Sequence, residues 1–232
     1  MKRGRILAAA GLLMVTAVGT ALAWGFDGHT MISRAAVEGL PADMPEFFTG
    51  AADQLVYLGP EPDRWRDDDL TTMDEAWKYD HYIDLENVPG DALAAPDRFE
   101  FIRALHAGGI AEPEQAVGFL PYRIEELYQR LVTGFARWRL ADDVAERGWI
   151  EARIINDAGI LGHYVADAAN PHHTTIHFNG WSSDAPNPEG YTTSRDFHWQ
   201  FESEFTGAHV EYDEVWAATP AGRSASARLP SS

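Results

Sequence analysis

His163 with Asp167, and again His198 with Glu202, set a histidine four positions ahead of an acid. His163 and Asp167 follow the apolar residues Ile154, Ile155, Ile160 and Leu161, and His198 and Glu202 stand in DFHWQFESEF. Residues four apart share one face of an α-helix, so each pair can offer an imidazole and a carboxylate to the same ion. One such pair alone is ordinarily just a hydrogen bond or a surface ion pair. Here His173 follows Asp167 across Pro171, so HYVADAANPHH holds His, Asp and His within eleven residues, and the second pair is set among Phe197, Trp199 and Phe201. Ligand sets held by a packed scaffold account for that recurrence better than isolated pairs do. The chain has no cysteine, so thiolate sites are excluded, and imidazole with carboxylate suits zinc in an open, catalytic type of site.

A third group lies near the start. Lys2, Arg3 and Arg5 precede an apolar run from Ile6 to Gly19, and Ala21-Leu22-Ala23 supplies small residues where a signal peptidase cuts. The run is short of the roughly 20 residues that span a bilayer, so residues 1–23 read as a cleaved leader and the protein as secreted or periplasmic. Cleavage leaves Trp24 at the N-terminus, where its amine and carbonyl can chelate a metal, with His29 close behind in WGFDGHTMIS. Export would itself create a ligand.

The elements that position these residues read as helices. Apolar spacing predicts helices over 30–40, 45–58, 96–106, 115–142 (with Pro121 as an alternative first turn), 145–170 and 194–209. Residues 59–80 read as irregular, 81–85 as a short strand or coil, and the Gly-, Asn-, Ser- and Pro-rich 174–193 as a long loop. With few strand signals the expectation is an all-α, multi-helix single domain over 24–218, with a metal site between helices and a flexible tail over 219–232. The chain's 232 residues can bury one core. A net charge of −18, made more negative by loss of the basic leader, repels polyanions at long range and argues mildly against a non-specific duplex DNA binder. Bound zinc would reverse that sign locally.

Taken together, these motifs resemble the family that unites zinc-dependent phospholipase C with the single-strand-specific zinc nucleases, and the resemblance runs through nearly all of the mature chain. Trp24 and His29 match the family's N-terminal pair, Asp63 in PEPDRWR its first acidic ligand, and His81 in DHYIDLE its next histidine. His163, Asp167 and His173 match the central run, and His198 and Glu202 the closing pair. The resemblance implies three zinc ions. One is held by Asp63, His81, His163 and Asp167. Asp167 bridges to a second ion on the Trp24 amine and carbonyl and on His29, and a third takes His173, His198 and Glu202. The long interval before His81 leaves Asp67 as an alternative to Asp63, and His172 is an alternative to His173. His106, His177 and His209 fit no position and read as surface or loop residues. In such a centre a zinc-bridging hydroxide is the expected nucleophile, with Asp63 orienting the attacking water. Arg66 contacts the phosphate by the resemblance, although within RWRDDD it reads equally as a solvated charge.

The branch of the family is divided in the sequence. The Trp24–His29 spacing, HYID and PDRWR resemble the nucleases. Glu202, FHWQFE and the absence of a GGN-type motif after His173 resemble the phospholipases. With the acidic charge, the balance favours a phospholipase C-like hydrolase acting on phospholipid head groups. A nuclease acting on single-stranded nucleic acid is the alternative, and a non-catalytic zinc- or lipid-binding module a third reading. A monomer without a stable protein partner is expected. Trp65, Trp77, Tyr79 and Trp181 are candidates for a substrate pocket by their nearness to ligands in sequence, though core packing is the commoner role of aromatics.

Overall fold

A computed structural model describes residues 25–219, and among them every regular element is helical. The expected leader over 1–23, Trp24 and residues 220–232 lie outside the described residues. In chain order the elements are α1 (Gly25–Glu38), α2 (Glu46–Thr49), α3 (Ala52–Leu58), α4 (Thr71–Trp77), α5 (Arg98–Ala107), α6 (Pro113–Ala116), α7 (Leu120–Leu140), α8 (Val144–Ala169), α9 (Phe197–Trp199), α10 (Thr206–His209) and α11 (Tyr212–Ala218). A π-helical turn, Gln200–Phe205, joins α9 to α10, and short 3-10 turns connect others. No described helix is long and apolar enough to cross a membrane.

The two longest helices form an antiparallel pair. Pro121 sits in the first turn of α7, where its missing N–H costs nothing. Asp143 caps α8 by accepting a hydrogen bond from the Glu146 amide at 2.8 Å, and α8 stops at Asn170-Pro171 because proline cannot continue it. Across the pair, Arg130 grips the buried Asp157 carboxylate with two bonds of 2.7 and 3.1 Å, and the Trp138 indole donates to Glu151 at 2.7 Å.

α8 is the wall shared by two apolar clusters. Its Ile160 and Tyr164 join Phe101, Leu105, Val117, Leu120 and Leu127. Its Ile154 and Ile155 join Phe48, Leu55 and Leu58. Contact with α3 is close enough to require glycine: a Cβ on Gly159 would stand 2.4 Å from the Leu58 Cβ. Held on both sides, the C-terminal half of α8 has a fixed position, and that half carries His163 and Asp167.

Several sequence expectations are corrected. The helix expected over 45–58 breaks at Gly50 and Ala51 into α2 and α3. Residues 59–80 are not irregular but coil through 3-10 turns and α4. Of the two alternatives for 81–85 the coil is present, with backbone bonds to Val117, Leu120, His173 and Thr174 rather than to a strand partner. The last helix starts at Phe197 rather than Ser194, and α11 follows it unforeseen. The long loop over 174–193 is present.

Gly159→Ala tests the packing of α3 on α8. About 1 kcal/mol of helix propensity is gained, but overpacking costs about 1–3 kcal/mol. The metal-free variant is therefore expected to melt several degrees below the parent when unfolding is followed by circular dichroism.

Candidate metal centre

Eight of the nine candidate ligands fall among the described residues, and all eight are buried. They come from separate stretches: His29 from α1, Asp63 from the 3-10 turn Pro62–Trp65, His81 after the 3-10 turn Lys78–Asp80, and His163 and Asp167 from α8. His173 ends the 3-10 turn Pro171–His173, His198 lies in α9, and Glu202 in the π-helical turn. Trp24 lies outside the described residues. Its neighbour Gly25 has φ +54°, and a Cβ there would stand 2.9 Å from the Glu202 carbonyl oxygen. The start of α1 is thus pressed against the turn that carries Glu202.

Three groups of ligand atoms close up in space: His29 with His163 and Asp167, Asp63 with His81 and His163, and His173 with His198 and Glu202. Asp167 links the first two. Its Oδ1 lies 3.3 Å from His29 Nε2, and its Oδ2 lies 3.1 Å from His81 Nδ1 and 3.2 Å from His163 Nε2. Asp63 Oδ1 stands 3.8 Å from both His81 Nδ1 and His163 Nε2. In the third group Glu202 Oε1 lies 3.3 Å from His173 Nε2 and Oε2 lies 2.6 Å from His198 Nε2.

The imidazoles are aimed by what lies behind them. His163 Nδ1 is 2.8 Å from the Gly59 carbonyl oxygen and His173 Nδ1 is 2.5 Å from that of His81. A contact there turns Nε2 toward the cluster, which is how metal-binding histidines are oriented. The alternatives fall away. Asp67 is exposed and accepts from the Asp69 amide. His172 is half-buried and packs edge-on against Phe197 and Phe201.

The donors fit a cation. His29 Nε2, both Asp63 oxygens, Asp167 Oδ1, His198 Nε2 and Glu202 Oε2 are buried without a hydrogen-bond partner. Orphaned buried polar atoms are costly, and here they converge. Bound metal would satisfy them together.

Electrostatics point the same way. Burial holds the His29 and His81 imidazoles down to about 4 and about 3, so both stand as neutral donors. Burial also pushes the Asp63 carboxyl up to about 7. At Asp167 burial works toward a higher value, but the His163 and His173 charges outweigh it and hold the carboxyl well below its ordinary range. At His173 burial is likewise outweighed, by Asp167 and Glu202, and the imidazole rises to about 9.

No family model matches the chain, and no curated protein or solved structure matches it. The assignment of a metal centre rests on the residues themselves.

Around the clusters the aromatic candidates divide. Trp65 and Tyr79 pack on the first core cluster, Trp77 lies under the Arg123 guanidinium, and Trp181 stacks between His177 and Tyr191. Phe178, which sequence did not single out, stands 6.0 Å from the His198 ring and is half exposed. Arg66 is not a free solvated charge: its Nε bonds Asp74 at 3.0 Å. His106 and His209 are exposed, while His177 accepts from the Ser182 amide within the loop.

Four outcomes are expected. Zinc must displace the proton that His173 carries below about 9, so apparent affinity rises with pH toward that value, and zinc uptake at pH 7 releases protons. Calorimetry in buffers of different ionisation enthalpy measures that release. In the metal-free protein the same raised value contributes stability that is fully present below 6.5 and lost as pH rises through about 9. Zinc at 100 to 1,000 times its Kd should raise unfolding stability by about 3–4 kcal/mol, and a chelator should reverse the gain. His163→Ala removes a donor shared by two of the three groups, so its zinc content by elemental analysis should fall at both. Full zinc content would sink the assignment.

Proposed function

We propose that this chain is an exported, zinc-dependent phosphodiester hydrolase of the phospholipase C and single-strand nuclease type, acting on phospholipid head groups. The observation that carries the reading is the convergence of all eight described candidate ligands into three adjoining, buried groups, each with donor atoms that have no hydrogen-bond partner. Their order along the chain is the order that the resemblance implies. Zinc held there supplies water of lowered pKa and neutralises charge on a phosphoryl group.

The chain's own residues do the rest. Asp63 faces the paired groups with neither oxygen hydrogen-bonded, and its role is to orient the attacking water. Arg66, whose charge acts on Asp63 and whose Nε bonds Asp74, offers its guanidinium to a phosphate oxygen. His198 is the most exposed of the eight ligands, and with Phe178 beside it this edge is where substrate enters. The strongly acidic surface favours a neutral or zwitterionic head group over a polynucleotide. Arg66 near Asp63 supports the second reading, a nuclease acting on single-stranded nucleic acid.

The test compares zinc-loaded protein on short-chain phosphatidylcholine and on single-stranded DNA under identical conditions, with Asp167→Ala as control. Faster lipid cleavage is expected, with turnover lost in the variant. Faster DNA cleavage would assign the nuclease branch, and no zinc-dependent turnover of either would leave a metal-binding module.

A further inference from the structure

Asn170 is completely buried, yet it is neither a candidate ligand nor part of an apolar cluster. It is the residue at which α8 ends and from which His173 is presented. Its side-chain Oδ1 accepts the His172 amide at 3.0 Å, capping the 3-10 turn Pro171–His173. Its carbonyl accepts the His173 amide at 3.0 Å. Because Oδ1 is committed, the amide cannot be flipped without breaking the cap, so Nδ2 is the group that meets Glu202. Nδ2 donates to Glu202 Oε1, the oxygen that also faces His173 Nε2. This leaves Oε2 without a hydrogen bond and directed at His198 Nε2.

We infer that Asn170 is a positioning residue for the group His173, His198 and Glu202. Its oxygen shapes the turn that delivers His173, and its amide nitrogen fixes the orientation of Glu202. Both ligands are set by one planar side chain, so the geometry between them is fixed by the length of an amide. The two tasks need opposite hydrogen-bonding ends, one acceptor and one donor. Among side chains of this size, asparagine alone supplies both. Aspartate would keep the cap but turn an acceptor toward Glu202.

That difference gives the test, which rests on the metal-centre reading. Asn170→Asp retains size and cap but removes the donor. Zinc content and affinity are measured on the full chain against a competing chelator, beside the parent and with circular dichroism melting of both metal-free proteins. The parent is expected to hold three ions. Asn170→Asp is expected to bind one of them about 10–100-fold more weakly, with the other two unchanged and the metal-free protein still unfolding cooperatively, though at a lower temperature because two buried carboxylates then face each other. Three ions at parental affinity in the variant would overturn the assignment, as would parallel loss of all three. Should Asn170→Asp fail to fold, Asn170→Ala is read by the same criterion of one ion against two. A parent that binds no ion at His173, His198 and Glu202, seen as no difference between it and His198→Ala, would overturn the metal-centre reading together with this inference.

Discussion

A carboxylate with no access to solvent stands among three imidazoles, and much of the molecule is arranged around it. Asp167 reaches His29 with one oxygen and His81 and His163 with the other. Burying a charge in this way costs several kcal/mol unless it is well paired. The surrounding chain meets that cost by bringing α1 and the turn before His81 onto α8. The α3–α8 contact at Gly159 and the two apolar clusters fix where Asp167 stands. The histidines then keep it ionised. Packing and electrostatics are therefore not separate accounts here: the apolar clusters place the charge, and the charge decides which side chains may surround it.

The backbone has a part in this besides connecting helices. Two imidazoles are held by carbonyl oxygens that belong to unrelated stretches, Gly59 at the end of α3 and His81 in a turn. His81 thus contributes its ring to one group and its carbonyl to the orientation of another. The histidines of separate groups are mechanically linked through main chain, which moves less than side chains do.

What was legible in the sequence follows from how much each segment buries. α8 announced itself because a long helix against two clusters must carry apolar residues at a helical period, and its ligands appeared on that period. α4 and α11 bury no residue, so no period marks them, and sequence gave an irregular stretch for one and nothing for the other. The site was readable as residue types and spacings, but spacing could not choose Asp63 over Asp67 and only favoured His173 over His172. Those choices depend on direction: Asp67 points to its own turn, and His172 into a cage of phenylalanines. Asn170 was visible only as a helix stop, because a cap and a partner for Glu202 look alike until the distant turn is brought next to it.

The π-helical turn over Gln200–Phe205 separates two registers along one rod. A turn wound with an added residue shifts everything after it by roughly 100° about the axis relative to an unbroken α-helix. His198 enters before this shift and Glu202 sits within it, while α10 comes after it. The outer face of α10 is thereby released from the phase that the ligands impose. Substitutions along that stretch can follow the demands of solvent and of neighbouring helices without dragging the acid away from its histidine, so two parts of a single helical run can drift through sequence space at independent rates.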